Sequence, residues 1–202
     1  MRTQVRNQRH ALVQHPVVIG AVVDRMDALV ATLDQQIAAI EAELAPALAT
    51  DAAWAAAAVR LESIKGIGQI TALWVLVTTL NFRLCATPEE ATAYAGLAPR
   101  DEESGTSVRK RQRIGKTGNV RLRTALYMAT LSAAQHNPVI KTFYDRLRAA
   151  GKPGCPLGEV ARCAAARKLL HLAFAVVTKE QDFDPSFKQL PSSVLAGLEI
   201  AA

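Results

Sequence analysis

The sequence predicts an all-α fold: a long N-terminal amphipathic helical arm followed by a compact helical domain. Three observations carry this. Half of the residues are apolar, yet Phe, Trp and Tyr together make only 5% of the chain, and sheets draw on aromatic and β-branched side chains. Alanine, the strongest helix former, comes in runs such as DAAWAAAAVR (residues 51–60). Apolar positions then recur at helical spacing, with capping residues at their ends.

The arm comes first. Val22, Met26, Leu29, Leu33, Ile37, Ile40 and Leu44 recur at an average spacing of about 3.7, the period of a nearly straight amphipathic helix. Asp24, Arg25, Asp27, Asp34, Glu41 and Glu43 occupy its other face, and Pro46 is expected to kink or end it. Such an arm serves to dimerise the chain or folds back as a helical hairpin, and its lack of a strict heptad leaves both open. A second, alanine-rich helix is expected from Asp51 to Ser63. In TPEEATAYAGL, Thr87 reads as an N-cap, Pro88 as the first helical residue, Glu90 as the capping partner and Gly96 as the stop. A basic loop follows, then a helix up to Pro138, a short one ended by Gly151 and a long apolar one reaching Lys179. The resulting division is an arm over 1–50, a helical domain over 51–182 and a loosely held tail over 183–202.

Composition excludes several classes. Cys85, Cys155 and Cys163 form no C-x-x-C unit and His10, His15, His136 and His171 never sit at ligand spacing, so no metal site is expected and the thiols read as small hydrophobes in a reducing compartment. The apolar run PVVIGAVV is too short to span a bilayer, and the N-terminus lacks a secretory cleavage site. The expected location is the cytoplasm.

Charge is local. Ser104 to Arg123, SGTSVRKRQRIGKTGNVRLR, holds Arg109, Lys110, Arg111, Arg113, Lys116, Arg121 and Arg123 and no acid, in a chain whose net charge is only +6. A solvated face mixes signs; an unbalanced run repels itself until a polyanion fills it, which makes nucleic acid the favoured partner. With no Trp or Phe interleaved to insert, a membrane surface is the weaker fit.

A second element is LESIKGIGQITALWVLV, an apolar helix end, Gly66-Ile67-Gly68, and another apolar helix. This is the form of a helix-hairpin-helix turn, where glycines permit a tight reversal and close ligand approach and free N–H groups at the second helix accept a phosphate oxygen. Lys65 adds charge there. Such a turn grips DNA by its backbone without reading bases; alternatively it merely links two core helices. The third element is Ser104. A loop serine beside guanidinium groups can attack a phosphodiester while arginines stabilise the developing charge, although most loop serines only bond locally. Asp101, Glu102 and Glu103 have the chemistry to hold a metal or take the serine proton, or simply balance Arg100 and the basic run.

The order of these motifs, IKGIGQITALWVLV, YAGLAP, SGTSVR, GKTGNVRLR, NP through YDRL, then ARCAAARKLLHLAFAVV and FDP, resembles the C-terminal domain of insertion-sequence 110/116/902 family transposases over about residues 60–185. The resemblance implies a DNA recombinase in which this domain supplies a serine nucleophile and a structured guide RNA pairs with target and donor. Ser104 matches the nucleophile, with Ser107 in reserve. Arg109, Arg111 and Arg113 would line the nucleic-acid path, and Gly66 to Gly68 would touch the backbone. The family carries, ahead of the arm, a ribonuclease-H-like domain whose acids bind a divalent metal such as Mg. Nothing here resembles that domain, so the chain reads as a truncated copy that binds DNA but does not complete strand exchange alone. The competing expectation is a non-catalytic helix-hairpin-helix module of architectural or repair type that self-associates through its arm.

Overall fold

The computed structural model describes residues 1–16, 18–100, 103–104, 108–109, 113–114, 117–150 and 159–186, with the backbone alone at positions 45, 100, 103, 104, 108, 109, 113 and 114. The architecture is all-α, as the composition predicts. The chain divides into two compact units, Met1–Ala55 and Ala56–Ala202.

In the first unit α1 (Arg2–Val13) packs on α2 (Gly20–Ala49). Arg2 and Arg6 both reach Asp34 (2.9 and 2.7 Å), and Arg9 reaches Asp27, a pattern that fixes the two helices antiparallel. Helix α1 was not legible: its polar composition leaves Val5 as its one buried side chain. The stripe expected on α2 is only partly covered. Met26, Leu33, Ile37 and Leu44 are half-buried whereas Val22, Leu29 and Ile40 stay exposed. Helix α2 also runs through Pro46 to Ala49 instead of ending there.

The second unit begins with α3 (Ala52–Glu62), which starts in the preceding unit where Asp51 Oδ1 accepts from the N–H groups of Ala53 and Trp54. Then come α4 (Gln69–Thr79) and α5 (Pro88–Tyr94). Thr87 caps α5 by accepting from the Glu90 N–H (3.2 Å), while the Glu90 carboxylate reaches one residue further back than a capping box requires, to the Ala86 N–H at 2.8 Å. Helices α6 (Val120–His136), α7 (Pro138–Ala149) and α8 (Glu159–Thr178) complete it. Asn119 caps α6 and Asn137 caps α7 through two N–H groups each.

Helix α8 is central, packing against α5, α6 and α7. Its buried stripe (Ala161, Ala165, Ala166, Leu169, Leu170, Ala173, Val176 and Val177) alternates small and large side chains, so neighbouring backbones approach closely while Leu169 and Leu170 fill the space between them. Leu61, Ile64, Leu76, Leu122, Leu126 and Ile140 are fully buried as well. After α4 three consecutive residues, Leu80, Asn81 and Phe82, are left-handed (φ 49°, 54°, 60°), which tucks Phe82 edge-on against Phe174 at 5.2 Å.

The basic segment, read from sequence as a loop, carries four two-residue strands. β1 (Pro99–Arg100) pairs antiparallel with β4 (Arg113–Ile114), and β2 (Glu103–Ser104) with β3 (Val108–Arg109). The Phe183 N–H donates to Ser63 Oγ at 2.8 Å, and residues 187–202 lie outside the described set.

Candidate nucleic-acid interface

Both ends of the basic segment are clamped by backbone contact between two glycines. Gly96 (φ 69°) and Gly118 (φ 127°) lie back to back: a Cβ on Gly118 would stand 2.6 Å from the Gly96 nitrogen and 2.8 Å from the Tyr94 carbonyl oxygen. No side chain fits there, and L-residues avoid these φ values. Asn119 locks the clamp, its N–H donating to the Tyr94 carbonyl (2.8 Å) and its Nδ2 to the Tyr94 hydroxyl (3.2 Å). Arg123 Nη1 donates to the Ala95 carbonyl at 3.0 Å. This half-buried guanidinium, one of the seven cations of the run, braces the foot of the segment, an attachment the charge count alone does not reveal.

Beyond the clamp, register places the rest. Ser104 pairs with Val108, and Glu103 with Arg109. Arg100 pairs with Arg113. Ser107, Lys110, Arg111 and Lys116 lie outside the described residues. Arg121 is exposed and sits over the Trp74 ring, its Cζ 5.5 Å from the centroid.

At the turn between α3 and α4, the two glycines have separate jobs. Gly66 (φ 107°) abuts α6: a Cβ there would lie 2.5 Å from Ala133 Cβ and 2.7 Å from its Cα and N. Gly68, with φ −100° and nothing within 4 Å of its imagined Cβ, is the N-cap of α4 and offers no side-chain cap, leaving that helix start open to an anion. Lys65 beside it is exposed. Sequence reading missed what holds the turn in place. Asn137, fully buried, donates Nδ2 to the Lys65 carbonyl (3.2 Å) while its Oδ1 caps α7. The Asn-Pro pair before a helix signals the cap, and nothing local signals the reach across to Lys65.

Elsewhere, a cavity of about 670 Å³ is lined by residues including Val139, Lys168, His171, Leu172 and Phe183. Burial holds the His171 imidazole below its ordinary value; Glu89 opposes this and Arg167 and Lys168 reinforce it. Burial likewise pushes the Cys85 and Cys163 thiols up, as befits unreactive side chains; Cys155 lies outside the described residues. Among the described residues no helix is long and apolar enough to cross a membrane.

A segment rich in cations is thus clamped at both ends onto an all-α scaffold. Residues 58–145 match the sequence profile of the transposase IS116/IS110/IS902 family, the family that the motif order resembles. The chain is 34% identical over 125 residues to the pilin gene-inverting proteins of Moraxella lacunata and Moraxella bovis, which covers 61% of this chain and 38% of each relative. It is 32% identical over 142 residues to the 43.6 kDa protein of insertion element IS110 from Streptomyces coelicolor, covering 70% of this chain and 32% of that protein. The chain therefore spans less than two-fifths of the length of these relatives.

Proposed function

We propose that this chain is the DNA-binding, serine-bearing part of a transposase that rearranges DNA in the cytoplasm, with Ser104 as nucleophile. The observation that carries the reading is the clamped segment itself, which holds Ser104 on a strand paired with Val108–Arg109, at the start of an acid-free run of cations. In the step proposed, Ser104 Oγ bonds to a phosphorus of DNA as the bridging P–O bond breaks. The serine proton passes to a carboxylate or water, and an equivalent proton is delivered through water to the departing deoxyribose oxygen, which leaves as a hydroxyl. Arginines offset the charge that develops on the phosphoryl oxygens, and the reverse attack by a deoxyribose hydroxyl reseals a strand.

By the resemblance, the divalent metal is held by acids of the ribonuclease-H-like domain. Among the described residues no three His, Cys, Asp or Glu side chains converge to hold one, so no step is routed through it, and the metal acids belong to the part of the family's protein that precedes the arm. A guide RNA and self-association through the arm are further parts of this proposal, the exposed Val22, Leu29 and Ile40 of α2 favouring the latter.

Mobility shift of duplex DNA at two salt concentrations tests binding, which should weaken as salt rises. Arg109→Glu, Lys110→Glu and Arg111→Glu together should weaken it further without loss of helix. For the chemistry, the ribonuclease-H-like domain of a family member is supplied in trans and a protein–DNA adduct is sought; the adduct should vanish in Ser104→Ala and persist in Ser107→Ala. A second reading, a non-catalytic module that holds the DNA backbone, is favoured by the uncapped, open start of α4 at Gly68. Under that reading Ser104→Ala changes nothing in any assay.

A further inference from the structure

The positive charge of this chain is concentrated twice. Besides the basic segment, α7 and α8 together carry Lys141, Arg146, Arg148, Arg162, Arg167 and Lys168 against only Asp145 and Glu159. Among the described residues none of these six cations forms an ion pair; the pairs that exist involve Arg2, Arg6, Arg9 and Arg60. Asp145 is three residues from Arg148 and Glu159 three from Arg162, a spacing at which helical ion pairs form, and neither does.

Arg148 and Arg162 are held by tyrosines instead. Arg162 Nη1 donates to the Tyr127 hydroxyl at 2.9 Å and also engages Tyr144. Arg148 lies over the Tyr144 ring, 5.7 Å from its centroid. Aromatic faces and hydroxyls orient a guanidinium without neutralising it. This pair is continuous with the basic segment: Tyr127, which holds Arg162, is one turn along α6 from Arg123, which braces the foot of that segment.

We infer that Arg162 and Arg148 extend the nucleic-acid path, receiving a phosphodiester backbone from the foot of the basic segment and carrying it across α6, α8 and α7. The inference rests on the nucleic-acid reading proposed above. A contrasting pair on the same two helices provides the control. Phe143, about 100° round α7 from Tyr144, carries Arg146 (5.3 Å) and Lys168 (5.1 Å) on the other flank, so neutralising that pair changes the net charge equally and leaves the path intact.

The test measures fluorescence anisotropy of the full chain with a duplex DNA and, separately, a single-stranded RNA, each over a salt series. Arg148→Gln with Arg162→Gln should lower the magnitude of the log–log salt slope by roughly 2 on duplex DNA, about 0.9 per lost phosphate contact; Arg146→Gln with Lys168→Gln should leave it near wild type. Arg148→Lys with Arg162→Lys should restore most of the slope. A change confined to DNA or to RNA names which backbone follows the path. Should Arg162→Gln unfold the chain by circular dichroism, the exposed Arg148→Gln alone should lower the slope by about 0.9. A folded variant with the wild-type slope, or a control pair that loses as much, overturns the inference and leaves the basic segment's role standing. A wild-type chain that binds neither nucleic acid overturns both.

Discussion

Gly66 and Gly68 look equivalent in sequence and should behave oppositely on substitution. At Gly66 an alanine Cβ meets three atoms of Ala133 at 2.5 to 2.7 Å, two of them backbone, with φ at 107°. Forcing α4 and α6 apart to admit a methyl group costs about 1–3 kcal/mol, and a non-glycine residue at positive φ costs roughly 1–2 kcal/mol more. Gly66→Ala should therefore destabilise the chain by about 2–5 kcal/mol, or of order 10 °C in Tm for a chain of this size. Because Ala133 Cα and N stay in the way, Ala133→Gly should rescue little of the loss. Gly68→Ala meets nothing within 4 Å at φ −100°, so stability should stay level or rise by about 0.4–1 kcal/mol through a less flexible unfolded chain. Its methyl group instead stands where a phosphate would approach α4, and DNA affinity should fall. Urea denaturation followed by circular dichroism, beside anisotropy with duplex DNA, reads both. A Gly66→Ala chain within 0.5 kcal/mol of wild type would refute the packing argument.

Asn137→Ala removes a helix cap and leaves buried groups at Lys65 and α7 without partners, so it should cost about 2–4 kcal/mol, read as a lowered urea midpoint. His171 is held below its ordinary value, so the unfolded chain takes up the proton first as pH falls. Its stabilising contribution is complete above the ordinary histidine value of about 6.5 and declines below it, by at most about 1.4 kcal/mol per pH unit. Between pH 7.5 and 5.5 a His171→Gln chain should lose less stability than wild type in parallel urea titrations.

How much of this was legible depends on whether the signal was local. The Thr87–Pro88–Glu90 start, the helices flanking Gly66 to Gly68 and the stop at Gly96 are written in adjacent residues, and the structure has them within one or two positions. Helix α1 was missed because the partners of its polar side chains, Asp27 and Asp34, lie on another helix. The strand pairs within the basic segment were missed for a related reason: the clamp that brings their ends together is made by Gly96 and Gly118, which are far apart in sequence. Charge counting found the segment but gave all seven cations one meaning.

They do not have one meaning, and that sets a quantitative limit on the interface. Arg123 is half-buried and bonded to the Ala95 carbonyl, so at most six of the seven cations in the run are free to meet phosphate. At about 0.9 per contact on duplex DNA, the segment alone supports a log–log salt slope no steeper than about −5. Lys65 at the turn adds at most one contact, whereas Arg148 and Arg162 add two. A wild-type slope clearly steeper than about −6 therefore needs cations beyond the segment and the turn. Arg148→Gln with Arg162→Gln should then bring the slope back to that limit, while reversal at Arg109, Lys110 and Arg111 should reduce it by about 3 whether or not the second path exists.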